Sequence, residues 1–144
     1  MEYAPNEGRN WRSSLQRWLE TELQCDVFNP NLESERYFRT HLPQGDFRAM
    51  KSSDPEAYRQ LAAGLVDLDC REIATRTGFV ICYWDDSAMR GAGTKGELTI
   101  AKYFGKPVYL VTTMDVVDIP GWVLGCVTKQ FASFEELRTF LIQD

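Results

Sequence analysis

The sequence predicts an α/β fold in which a mostly parallel sheet is sandwiched between helices, and two observations predict it. Residues 79–84, Phe-Val-Ile-Cys-Tyr-Trp, and 108–111, Val-Tyr-Leu-Val, are continuous apolar runs of the kind found in strands covered on both faces. Between them lies a helix-like segment opened by Gly93 and Thr94 and closed by Gly105. Strand, loop, helix, strand in that order is a right-handed crossover, the building block of an open parallel sheet.

The other elements follow in chain order. Trp11, Leu15, Trp18, Leu19 and Leu23 form an apolar stripe at helical spacing, with Arg12, Arg17, Glu20 and Glu22 off it, so an amphipathic helix is expected there. Residues 25–28 read as a short strand stopped by Asn29 and Pro30, and 32–42 as a further helix. The Gly, Pro, Asp and Ser of 43–53 predict a loop. Asp54, Pro55 and Glu56 then supply an N-cap, an N1 proline and a first-turn acid. The helix they open carries Tyr58, Leu61, Ala62, Leu65 and Leu68 on one face, and Asp69 arrives where the chain is expected to turn towards the strand at 79. Residues 133–142 open with a Ser-x-x-Glu capping box, Ser133 and Glu136, and bury Phe134, Leu137, Phe140 and Leu141.

With 144 residues, no internal repeat and no linker, one domain covering 1–144 is expected. The net charge of −5 argues against a nucleic acid or an anionic membrane surface as partner. No apolar run reaches the roughly 18 residues of a spanning helix, and the start of the chain lacks the shape of a signal peptide, so a cytoplasmic location is the default. Cys25, Cys70, Cys82 and Cys126 include no C-x-x-C pair and read as reduced thiols, Cys25 and Cys82 within buried strands. The single histidine, His41, has no ligand or acid partner nearby in sequence, which removes His-based triads and most zinc chemistry.

Ligands of open α/β sheets collect at the carboxyl ends of the strands, here residues 85–93 and the helix that follows. Gly91-Ala92-Gly93-Thr94-Lys95-Gly96-Glu97 has that location. Glycines let backbone amides approach a ligand, and a helix N-terminus carries partial positive charge. Glu97, expected in the first turn, would stay ionised in that field, as a carboxylate nucleophile must. The same residue types also make an ordinary helix start. Thr94 either binds ligand or caps the helix. Asp85 and Asp86 either bind sugar hydroxyls or are solvated turn carboxylates. Asp69 is either functional or a C-cap. Arg90 and Lys95 would suit a 5′-phosphate, or be solvated charges.

The run Gly93-Thr94-Lys95-Gly96-Glu97, then Ala101, then Gly105-Lys106-Pro107-Val108, resembles the most recognisable block of the nucleoside 2-deoxyribosyltransferase family. Asp69-Cys70-Arg71-Glu72-Ile73 resembles the family's Asp-x-x-x-Ile segment, and the likeness extends to the Trp11-Arg12 helix, Phe28-Asn29-Pro30, Trp122 and the closing Glu136-Leu137 helix. The resemblance implies a flavodoxin-like three-layer sandwich and cleavage of an N-glycosidic bond in nucleosides or their 5′-monophosphates. It makes Glu97 the nucleophile and has Asp69 hold the base and the nucleophile. A small-molecule substrate, a homo-oligomer and neither metal nor organic cofactor go with it. Trp122 and Phe131 are candidates for an oligomer interface or for the core.

The chain departs from the family in two places. The family's first strand, Ile-Tyr-Leu-Ala-Gly-Pro, has no counterpart in Met1-Glu2-Tyr3-Ala4-Pro5, so Met1 is expected to be internal to a longer product, or 3–5 to make a stub of the strand, or another chain to fill the gap, with Tyr3 the candidate for the family tyrosine. Gly91 also stands where many transferases carry an acid. Related hydrolases use water as acceptor; Gly91-x-Gly93-Thr94-x-x-Glu97 is similar to the motif of cytokinin-activating phosphoribohydrolases, although the preceding proline is missing and the chain is short for that group, and TIR-like NAD glycohydrolases more distantly share the strand, loop and helix-borne glutamate. A non-catalytic nucleotide-binding module is the alternative from another class.

Overall fold

The structure, a computed structural model, describes residues 9–143. The chain forms two compact units, Arg12–Glu72 and Ile73–Asp144 with Met1–Trp11. Tyr3 and the segment expected to stand in for the first strand lie outside the described residues.

The Arg12–Glu72 unit is helical. Helix α1 (Arg9–Glu22) buries Leu15 and Leu19 from the predicted apolar stripe. Gln24, at φ 54°, ends the helix region, and Asn29 starts α2 (Pro30–His41) by accepting the Asn31 amide at 3.1 Å while donating to Gln16 Oε1 at 2.8 Å. The link between these two fixed points is only 25–28, so the segment predicted as a strand is a connector without a pairing partner among the described residues, and Cys25 is half-buried rather than core.

The predicted loop at 43–53 is helical from Phe47 onward. Helix α3 (Phe47–Ser53) forms because Asp46 caps it, accepting from the amides of Arg48 and Ala49 at 3.1 and 3.3 Å. The Phe47 ring then docks between Phe38 and Tyr58, with centroids at 4.6 and 4.4 Å. Helix α4 (Pro55–Thr75) starts as predicted, with Asp54 accepting the Ala57 amide at 3.2 Å. It continues to Thr75, so Asp69 lies within the helix and not at a turn after it.

The second unit is α/β. Its described elements are β1 (Val80–Tyr83), α5 (Asp86–Arg90), α6 (Ala92–Tyr103), β2 (Val108–Val111), a 3-10 turn (Val116–Asp118), α7 (Gly121–Cys126), β3 (Lys129–Phe131) and α8 (Phe134–Gln143). The three strands form an open, all-parallel sheet in the order β1-β2-β3, with Val80 opposite Val108 and Tyr109 opposite Lys129. This arrangement is compatible with a Rossmann-like sandwich.

Side-chain alternation divides the sheet's two faces. Cys82, Trp84, Val108 and Leu110 point to one face and share a core with Ala88 of α5, Leu98 and Ala101 of α6, and Val123 and Cys126 of α7. Val111 and its neighbours Ile81, Tyr83 and Tyr109 point to the other, against Leu137 and Phe140 of α8. Trp11 belongs to this second face, with its ring 6.1 Å from Tyr83 and 5.7 Å from Phe134. The β1 and β2 runs are therefore covered on both sides, as their continuous apolar character predicts.

Gly105 closes α6 in the way its position predicts. At φ 72° it lets its own amide reach Lys102 O at 3.1 Å and the Lys106 amide reach Ala101 O at 2.8 Å, a Schellman pair. At the start of α8, Ser133 Oγ accepts the Glu136 amide at 3.2 Å, and the Glu136 carboxylate reaches back to the Ala132 amide at 2.9 Å, one residue before the reciprocal partner of a standard capping box. Among the described residues no helix is long and apolar enough to cross a membrane.

Candidate active site at the carboxyl end of the first strand

Five of the predicted site residues, Asp85, Asp86, Gly91, Gly93 and Thr94, follow directly from the carboxyl end of β1, and Glu97 comes next on α6. The path between strand and helix differs from the expected loop, because 86–90 forms α5. Asp85 builds that helix. Its Oδ1 accepts from Ser87 N at 3.0 Å, Ser87 Oγ at 2.5 Å and Ala88 N at 3.1 Å, which makes it an N-cap. Asp86 lies in the first turn of α5 with its side chain exposed.

Helix α6 starts earlier than the sequence predicts. Gly91 is its N-cap, and with φ −86° it occupies a backbone region open to any residue. Among the described residues, chain neighbours and the helix's own backbone apart, no atom lies within 4 Å of where a side chain would begin on Gly93 or Gly96. Thr94 is the third helical residue and half-buried rather than the cap. The first turn contains no acid, and Glu97, half-buried, sits in the second turn. The electrostatic reason for placing the nucleophile there is correspondingly weaker, since the helix field fades beyond the first turn.

Three hydrogen bonds missed in the sequence hold α6. Lys95 Nζ donates to Met89 O at 2.8 Å, a cation on the last turn of α5, so the lysine is directed at a carbonyl. Thr99 Oγ1 donates to Lys95 O at 2.7 Å and accepts from Trp122 Nε1 at 2.8 Å. No family model, curated protein or solved structure matches the chain.

Trp84 also escaped the sequence argument beyond its place in a strand. It is fully buried at the carboxyl end of β1, and its Nε1 has no hydrogen-bond partner among the described residues. An unsatisfied buried donor costs roughly 1–3 kcal/mol. Its neighbour in the ladder is better served: Thr112 Oγ1 donates to Trp84 O at 2.7 Å and accepts the Met114 amide at 3.0 Å, fixing the carboxyl ends of β1 and β2 together.

Asp69 belongs to the helical unit, on α4. It is half-buried, and its Oδ1 is buried without a hydrogen-bond partner among the described residues. Burial raises its pKa from 3.8 to about 6, partly opposed by the positive charge of Arg12. Arg12 itself donates to Asn31 Oδ1 at 2.9 Å. His41 is exposed at the end of α2, stacked on Tyr37 with centroids 4.2 Å apart. Among the described residues no three His, Cys, Asp or Glu side chains are grouped so as to hold a metal ion.

Proposed function

We propose that the chain cleaves the N-glycosidic bond of (deoxy)nucleosides or their 5′-monophosphates through a glycosyl ester on Glu97, and transfers the deoxyribosyl group to another base. The observation that supports this most is the placement of 91–97: a glycine-containing helix start that follows the parallel strand β1 through the short helix α5, with a half-buried carboxylate one turn on. The Glu97 carboxylate attacks the anomeric carbon, the carbon–nitrogen bond breaks, and the base leaves with the electron pair and takes up a proton. An incoming base then displaces Glu97 from the ester. The resemblance gives Asp69 the part of holding the base and the nucleophile. On this reading the sheet is of flavodoxin type, the substrate is a small molecule, the location is cytoplasmic, and neither metal nor organic cofactor takes part.

Hydrolysis differs only in the acceptor, water in place of a base. A non-catalytic nucleotide-binding module is favoured by one observation, the position of Glu97 beyond the first turn of α6. The chain incubated with deoxynucleosides and their 5′-monophosphates, with and without a free acceptor base, separates the three. Base exchange identifies a transferase, and free base with free sugar identifies a hydrolase. In either case Glu97→Gln is expected to lower the rate by at least about a thousandfold. Nucleotide binding without cleavage would establish the binding module, and cleavage untouched by Glu97→Gln would remove Glu97 from the mechanism.

A further inference from the structure

The three hydrogen bonds that hold α6 are connected in series. The Lys95 ammonium donates to Met89 O, in α5, at 2.8 Å. The Lys95 carbonyl accepts from Thr99 Oγ1 at 2.7 Å, and the same hydroxyl oxygen accepts from Trp122 Nε1, in α7, at 2.8 Å. A hydroxyl has one hydrogen to give. With the indole N–H directed at its oxygen, the Thr99 hydrogen is committed to Lys95 O. Helix α5 follows β1 through its Asp85 cap, and α7 comes after β2, the neighbouring strand. The series therefore ties the first turns of α6 to the helices that follow two adjacent strands.

Glu97 lies midway between Lys95 and Thr99 in the chain. At about 100° per residue, Lys95 and Thr99 share one stripe of α6 and Glu97 stands on the opposite side, so the series grips from behind the turn that carries the carboxylate. A threonine hydroxyl bonded to the carbonyl four residues back also bends its helix, which sets the direction of that turn as well as its place. Trp122 is 69% exposed, and a hydrogen bond made where water can replace it adds little to stability. Its effect is on orientation. We propose that Trp122 and Thr99 are positioning residues, which act through the α6 backbone to hold the Glu97 carboxylate in line with the anomeric carbon. The inference rests on the glycosyl-transfer reading of Glu97 and adds to it a dependence on α7. A reacting group misplaced by about 1 Å loses on the order of a hundredfold in rate, so a bond of little value to the fold is of large value to the chemistry.

Steady-state kinetics of deoxynucleoside cleavage by the whole chain tests the proposal, with Glu97→Gln as the control for the reading itself. Trp122→Phe keeps an aromatic ring and loses the indole N–H, and Thr99→Val keeps the side-chain shape and loses the hydroxyl. Each is expected to lower kcat by about tenfold or more with KM nearly unchanged, the signature of an interaction that acts on the transition state. The double variant is expected to fall no further than either single one, because both substitutions break the same series. Thr99→Ser retains the hydroxyl and is expected to keep most of the parent's kcat. Thermal unfolding of Trp122→Phe should match that of the parent, which separates misplacement from damage to the fold. Cleavage that Glu97→Gln abolishes but Trp122→Phe leaves intact, or losses that simply multiply in the double variant, would overturn the positioning role and leave the reading of Glu97 standing. No cleavage by the unmodified chain, or cleavage indifferent to Glu97→Gln, would overturn both together.

Discussion

Among single residues, Asp69 gives the sharpest prediction, because its environment opposes its own ionisation. Burial holds its carboxyl at about 6 in the folded chain against an ordinary 3.8. Between those values the folded chain keeps a proton that the unfolded chain has released, so the contribution to stability is full below pH 3.8, falls as pH rises through about 6, and is flat above. Asp69→Asn removes the titration. Because the group is only half-buried, solvent screening reduces the effect, and the variant should be more stable than the parent by about 1 kcal/mol at pH 8. At pH 4 the gain should nearly vanish. Urea unfolding at the two pH values measures both, and equal differences would show that Asp69 does not carry the shift. This property was not legible in the sequence, where Asp69 is a polar residue after an apolar stripe; the burial and the neighbouring Arg12 come only with the fold. Asp85 illustrates the reverse case. Its position at the end of an apolar run is plain from sequence, but its role as a cap depends on the backbone turning into α5 straight away.

At the scale of elements, α2 and α4 lie so close that one position tolerates no side chain. A methyl group on Gly64 of α4 would collide with the Tyr37 hydroxyl, which donates to Leu61 O at 3.1 Å. Gly64→Ala is therefore expected to destabilise the chain by about 1–3 kcal/mol, despite alanine's better helix propensity. Combining it with Tyr37→Phe, which removes the colliding oxygen, should recover part of the loss, and thermal unfolding of the single and double variants checks this. A Gly64→Ala variant as stable as the parent would show that α2 moves aside at no cost. The elements legible in the sequence are those whose signals are local. Asp54-Pro55 starts α4, Gly105 ends α6, Ser133 caps α8, and the apolar runs of β1 and β2 have no other reading. Those that were missed depend on partners. Helix α3 is seven residues long and relies on Phe47 docking between Phe38 and Tyr58, while β3 is three residues with two exposed and exists through its pairing with β2. The error at 25–28 has the same origin, since an apolar tetrapeptide becomes a strand only where a neighbouring strand can pair with it.

For the molecule as a whole, the distribution of buried side chains predicts uneven stability. The α/β unit holds the fully buried Trp84, Leu98, Val108, Leu110, Val111, Val123 and Leu137, arranged on both faces of one sheet. In the helical unit Leu15 and Leu19 are buried, whereas α2 and α3 contain no buried residue and are held by half-buried aromatic contacts. Segments with few buried apolar contacts open at lower free energy than core strands. Native-state amide exchange should therefore find α2 and α3 opening at least about 2 kcal/mol more easily than β1, β2 and α6. A core deletion extends the test. Leu137→Ala removes a fully buried side chain from the α8 face, at a cost of about 2–5 kcal/mol, and should lower the protection of β2 and β3 by a comparable amount. Exchange in α2 and α3, which proceeds by local opening, should remain at its original rate as long as the variant stays folded. If all the helices and strands of the parent exchanged with one common free energy, the two compact units would unfold as a single cooperative body.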